Sequence, residues 1–106
     1  MIVRMWSART SKSQSKIYQQ HFVDAVLPAL RNFDGYSSSR VLTRPRNDEI
    51  EILVLTVWNS FAAIDAFAGA DREAAVVAPE AAALLTDYDR RVRHFEVSLA
   101  DGIFPQ

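Results

Sequence analysis

The sequence predicts an α+β domain of the ferredoxin-like βαββαβ type, a four-stranded antiparallel sheet with both helices on one face. Three observations carry that prediction. Short stretches rich in β-branched and aromatic residues mark the strands, apolar stripes at helical spacing lie between them, and the order reads strand, helix, strand, strand, helix, strand. Split βαβ connections with right-handed crossovers then close the sheet with its helices on one side.

The first strand runs from Ile2 to about Arg9, opening with Ile2-Val3-Arg4-Met5-Trp6. Ser11-Lys12-Ser13-Gln14 has the form of a capping box, in which a hydroxyl and a side chain three residues on satisfy free helix-start donors. Tyr18, Phe22, Ala25, Val26, Ala29, Leu30 and Phe33 follow as one helical stripe. Pro28 removes one backbone bond inside this helix and should kink it, and Gly35 ends it. Tyr36 to Arg44 and Glu49 to Trp58 pair through the turn Pro45-Arg46-Asn47-Asp48. Asn59 or Ser60 caps a second helix from Phe61 to Ala68, with Ile64 and Phe67 inward and Gly69 as its stop. Asp71 to Val77 is weakly patterned, and Pro79-Glu80 opens a helical piece reaching Leu85. Arg90 to Leu99 is the last strand, with Phe95, Val97 and Leu99 on one side, and the tail carries Ile103 and Phe104.

Composition narrows the function classes. A length of 106 residues, 49% hydrophobic, suits one domain, with a core over 2–99 and a tail over 100–106. A net charge of -1 provides no electrostatic footprint for nucleic acid or an anionic membrane. Without cysteine there are no disulfides, thiolate metal sites or thiol nucleophiles. No signal-peptide pattern or membrane-length apolar run is visible, so a cytoplasmic location is expected. The RNA-recognition fold shares this element order, but its third strand carries a glycine-aromatic signature, whereas this one is aliphatic. His21 with Asp24, and Asp87 with Asp89, lack the further partners that a metal site needs, and no bound metal or cofactor is expected.

Strand Glu49 to Trp58 is apolar on both sides. Ile50, Ile52 and Val54 share one face, while Leu53, Leu55 and Val57 share the other. An antiparallel sheet with one wet face should alternate apolar with polar, and two helices cover only one face. Exposing three or four large aliphatic side chains would forfeit several kcal/mol at ~25 cal/mol per Å². A second copy of the sheet, making a homodimer, is the simplest cover. The alternative is that residues of the second strand and the tail, with Ile103 and Phe104, fold under the sheet.

Leu53-Val54-Leu55-Thr56-Val57-Trp58-Asn59-Ser60, followed by Ala63-Ile64-Asp65-Ala66-Phe67-Ala68-Gly69, resembles the strand-to-helix segment of antibiotic-biosynthesis monooxygenases. Val76-Val77-Ala78-Pro79-Glu80-Ala81 and Val92-Arg93-His94-Phe95-Glu96-Val97 extend the resemblance, which covers Ile2 to Val97. It implies a dimeric α+β barrel and, from some members, oxidation of an aromatic or polyketide-like compound by O2 without metal or flavin. Their site is an apolar cavity between sheet and helices, and Trp58 stands where the family has a tryptophan. Where several active members place an asparagine on the sheet, this chain has Val54 and Trp6. A haem-degrading branch uses an axial histidine on the second helix, but no histidine lies between Ser60 and Thr86 here. The resemblance therefore points away from haem.

His94 is the candidate catalytic base, able to take a proton from a phenolic or enolic substrate, with Glu96 fixing its tautomer. The same residue read structurally is a histidine bonded to a carbonyl or a neighbouring subunit. Trp58 is the second catalytic candidate. Trp58 and Trp6 would stack on a flat ligand, with Tyr18, Phe22 and Phe67 as the helix side of the pocket, or all five would be plain core. Arg4 would hold a carboxylate or quinone oxygen, or pair with an acidic neighbour. Two functions follow: an oxygenase for a small apolar or aromatic molecule, or a non-catalytic homodimer that binds one or serves as a scaffold.

Overall fold

Two long strands form the centre of the sheet in the computed structural model, which describes residues 1–102. Strand β1 (Ile2–Ser11) runs antiparallel to β3 (Glu49–Trp58), in register from Ile2 opposite Trp58 to Ser11 opposite Glu49. Strand β2 (Tyr36–Arg46) flanks β3 on the outside. Two short segments, β4 (Asp87–Tyr88) and β5 (Arg93–Glu96), share the free edge of β1. The β2–β3 hairpin turns at Asn47, whose φ of 55° is a left-handed conformation that asparagine tolerates. The expected tail contacts of Ile103 and Phe104 lie outside the described residues.

The sheet has five strands where four were expected, because the last strand is broken. Between Arg90 and Val92 the chain leaves β1 and bonds to the loop ahead of it. Ala75 N–H donates to the Arg90 carbonyl at 2.9 Å, and Val92 N–H donates to that of Glu73 at 2.8 Å. A ladder can serve one neighbour per edge, so the expected continuous strand from Arg90 to Leu99 survives only at Arg93–Glu96.

The first helix differs from a simple kink. Helix α1 (Lys12–His21) passes into a π-helical turn at Phe22–Val26 and continues as α2 (Leu27–Leu30). Ser11 starts it, its Oγ accepting the Gln14 N–H at 3.1 Å. Pro28 falls in the first turn of α2, where its missing N–H is harmless, and the wide turn before it absorbs the mismatch: Leu27 N–H reaches back to the Phe22 carbonyl. Helix α3 (Phe61–Ala68) is capped by Ser60, whose Oγ accepts the Ala63 N–H at 3.1 Å. Helix α4 (Pro79–Ala82) is one turn long and stops short of the expected Leu85.

The helices cover one face of the sheet. Ile52, Val54 and Trp58 of β3 are buried there with Tyr18, Phe22, Leu30 and Ile64. Leu53, Leu55 and Val57 face the opposite side and are only half-buried, while Leu42, Phe95 and Val97 beside them are exposed. No helix among the described residues is long and apolar enough to cross a membrane.

Gly35 locks the α2–β2 corner. Its φ is +88°, and a Cβ there would lie 2.5 Å from Asn59 Oδ1 and 2.6 Å from Ala63 Cβ. Gly69 has a similar φ of +84° with nothing near it. Gly35→Ala is therefore expected to cost about 3 kcal/mol, backbone strain plus overpacking, and Gly69→Ala only about 1 kcal/mol. Urea unfolding of the two variants checks the ranking, and equal losses would refute it.

Candidate functional site

A cavity of about 70 Å³ lies between the helix-side face of the sheet and the helices. Arg4 and Trp6 of β1 and Val54 and Thr56 of β3 form its floor, because alternate residues of paired strands point the same way. Phe22, Val26 and Leu30 come from the first helix, and the π turn brings the first two onto the cavity. Phe67, Val76 and Val92 complete the wall. Val76, on the loop between α3 and α4, lines the cavity and is half-exposed.

Arg4 is the one charged residue in this wall and is only 5% exposed. Its Nη1 donates to the Arg72 carbonyl at 2.5 Å and its Nη2 to the Ala74 carbonyl at 2.9 Å. The guanidinium lies 5.5 Å from the Phe67 ring centre. Burial lowers its pKa to about 10, so it stays charged at neutrality. Among the described residues it makes no ion pair.

His94 stands directly across from Arg4 in the β1–β5 pairing, its Nε2 3.0 Å from Arg4 Nη1. Arginine can only donate, so Nε2 accepts and the ring is neutral with its proton on Nδ1. Burial first, and then the charge of Arg4, hold the His94 pKa below its ordinary value. Phe61 packs edge-on against the imidazole at 5.8 Å. Sequence reasoning set His94 beside the ligand and Glu96 beside His94. In the structure His94 lies behind Arg4 rather than in the cavity wall, and Glu96, although in the same strand, is exposed at the position opposite Ile2.

Trp58 is fully buried and also stands behind the wall. Its Nε1 donates to Thr56 Oγ1 at 2.9 Å, and its ring packs against Tyr36 at 5.5 Å and Phe67 at 5.4 Å. Tyr18 is buried, 6.3 Å from Trp6, and burial raises its phenol above the ordinary value, which keeps it protonated. Of the residues singled out from sequence, Arg4, Trp6, Phe22 and Phe67 meet in the cavity wall, and His94, Trp58, Tyr18 and Glu96 do not. Thr56 was missed, although its place between Val54 and Trp58 on the inward phase of β3 marks it as the polar exception there. Val76 lies in a loop with no periodicity to reveal it.

No protein-family model and no curated protein matches this sequence. Solved structures do. A substituted form of MhuD with two manganese protoporphyrin IX groups per active site has 23% identity and a TM-score of 0.68, covering 96% of this chain and 99% of that one. A Bacillus cereus protein provisionally classed as an antibiotic biosynthesis monooxygenase has 16% identity and a TM-score of 0.65, with 99% and 98% covered. A Deinococcus radiodurans protein of the same provisional class has 16% identity and a TM-score of 0.63, with 99% and 100% covered. These likenesses establish the fold, which this chain shares with those structures.

The porphyrin-bound neighbour makes haem a group to test. The cavity wall contains no histidine, tyrosine, cysteine or methionine to serve as axial ligand, and its volume is far below a porphyrin's. The residues present do not fit haem. Among the described residues, no group of three or more histidines and carboxylates is placed to hold a metal ion.

The Arg4–His94 pair has a pH consequence. Because the folded-state pKa of His94 is depressed, the neutral ring favours the folded chain. That contribution is complete above the ordinary value of 6.5 and is lost as the pH falls through it toward the folded pKa. His94→Gln, which keeps an acceptor for Arg4 but cannot titrate, is expected to flatten the fall in urea midpoint between about pH 7 and 5. An unchanged slope would show that His94 does not contribute to it.

Proposed function

We propose that the chain is a cofactor-independent monooxygenase of the antibiotic-biosynthesis type, oxidising a small aromatic or polyketide-like compound with O2. The observation that supports this most is the apolar cavity walled by Trp6, Phe22 and Phe67, with one buried cation, in a fold shared with proteins of that class. The chemistry balances without a reductant: a phenol and O2 give a quinone and water, the substrate supplying both hydrogens. The protein would exclude water, orient the ring against its aromatic walls and hold the substrate oxygen at Arg4. In this reading the Arg4 guanidinium meets the substrate oxygen, and His94, neutral and 3.0 Å behind it, acts through Arg4 by accepting one of its hydrogens rather than taking the substrate's proton as the sequence suggested. At about 70 Å³ the cavity is roughly half the volume that holds a benzene in an engineered core, so Val76 must move to admit a ring.

A second reading, a ligand-binding protein without catalysis, draws on Val54 and Trp6, which line the cavity where several active members of the type carry an asparagine. Oxygen uptake separates the two. Phenols and dihydroxyanthracenes in air are expected to be oxidised at least tenfold faster with the protein than in buffer, and His94→Ala to lose most of that gain. No uptake above buffer would leave the binding protein; equal rates for the two proteins would remove His94 from the mechanism.

The reading includes a homodimer formed by the open sheet face. Leu53, Leu55 and Val57, flanked by exposed Leu42, Phe95 and Val97, would be covered by the same residues of a second copy. Sedimentation at micromolar concentration is expected to show a dimer, and Leu55→Asp a monomer. A folded monomer of the unaltered chain would overturn the dimer.

A further inference from the structure

The buried arginine is treated differently from its surface counterparts. Arg9 pairs with Asp87, Arg44 with Glu51, Arg72 with Asp65, and Arg91 with Asp71 and Glu73. All of these pairs lie at or near the surface, where water would satisfy either partner. Arg4 is more deeply buried than any of them, and its three bonds go to two backbone carbonyls and a neutral imidazole. Those acceptors satisfy donors but neutralise no charge. A neutral side chain could tie down the same two carbonyls, so anchoring the loop does not explain the guanidinium. A guanidinium has five N–H donors, and two remain for a guest in the cavity that Arg4 lines. The remaining wall is apolar apart from the Thr56 hydroxyl and the indole of Trp6, whose N–H is given to the Asp89 carbonyl at 2.8 Å.

We propose that this cavity selects guests carrying an ionised oxygen, an aromatic phenolate or carboxylate, and that Arg4 is the residue that selects them. The proposal rests on the reading of the cavity as the ligand site. The missing counter-charge is then the ligand's own. Phe67 and Trp6 hold the ring, and the anionic oxygen meets the guanidinium in a space where little water screens the attraction. His94 is a positioning residue in this arrangement, holding one Nη1 hydrogen and so fixing the plane of the guanidinium.

The probe is 4-nitrophenol, which titrates near neutrality and changes colour as it ionises without changing shape. An apolar pocket alone raises the pKa of a bound phenol, and a buried cation lowers it, so the sign of the shift decides. The unaltered protein, titrated between about pH 6.5 and 9, is expected to lower the pKa of bound 4-nitrophenol by at least one unit, a tenfold preference for the phenolate. Arg4→Gln should reverse the sign, and Val76→Trp, which fills the wall, should remove binding and shift together. A bound pKa that is unchanged or raised in the unaltered protein overturns the proposal while leaving the cavity as a ligand site. A lowered pKa that survives Val76→Trp places the phenolate elsewhere and also overturns it. Absence of binding by either form overturns both the proposal and the reading on which it rests. The first measurement needs no variant, so the test stands even if Arg4→Gln fails to fold.

Discussion

The pairing register of β1 with β3 is the constraint on which the rest of the structure depends. Side chains alternate along a strand, so a slip of one residue would exchange the two faces of the whole sheet. In the observed register Arg4 lies opposite Thr56 and Trp6 opposite Val54, all four toward the helices. The intervening pairs, Val3 with Val57 and Met5 with Leu55, point the other way. One alignment therefore assembles the cavity floor and, by the same geometry, leaves an apolar surface on the reverse of the sheet.

Within that frame the electrostatics divide by depth. Ion pairs at the surface, such as Arg91 with Asp71 and Glu73, are screened by water and contribute little to stability. Arg4 sits where screening is weak, which is why its own pKa and that of His94 are both displaced downward. The neighbours of this fold include a protein that carries porphyrins, yet this cavity is small and its wall contains no axial ligand. The shared backbone fixes no chemistry, and the interior side chains rather than the topology distinguish the two cavities.

Much of the fold was legible because its signals are local. The run from Glu49 to Trp58, the Ser60 cap with Gly69 as stop, and the Ser11 cap all read directly from periodicity and capping chemistry. The break in the last strand was not legible, since it depends on the loop around Glu73 competing for the backbone of residues 90–92, a contact distant in sequence. The π turn was hidden for a different reason: Pro28 announces a disturbed helix but not which geometry relieves it. For the cavity, alternation put Arg4 and Trp6 in phase, and helical spacing did the same for Tyr18 and Phe22. Neither could separate the wall from the layer behind it. Tyr18, Trp58 and His94 share faces with cavity residues yet sit one side chain away, because ring size and tilt set depth at that scale.

The wide turn at Phe22–Val26 also sets the phase of everything that follows it in the first helix. It houses the additional residue that lets Tyr18 and Leu30 both point into the same interior although they lie on either side of a proline. Were the same residues wound as a regular α-helix, all that follows would turn by roughly 100°. Leu30 would then swing toward solvent, and the corner at Gly35 would no longer meet Asn59 and Ala63.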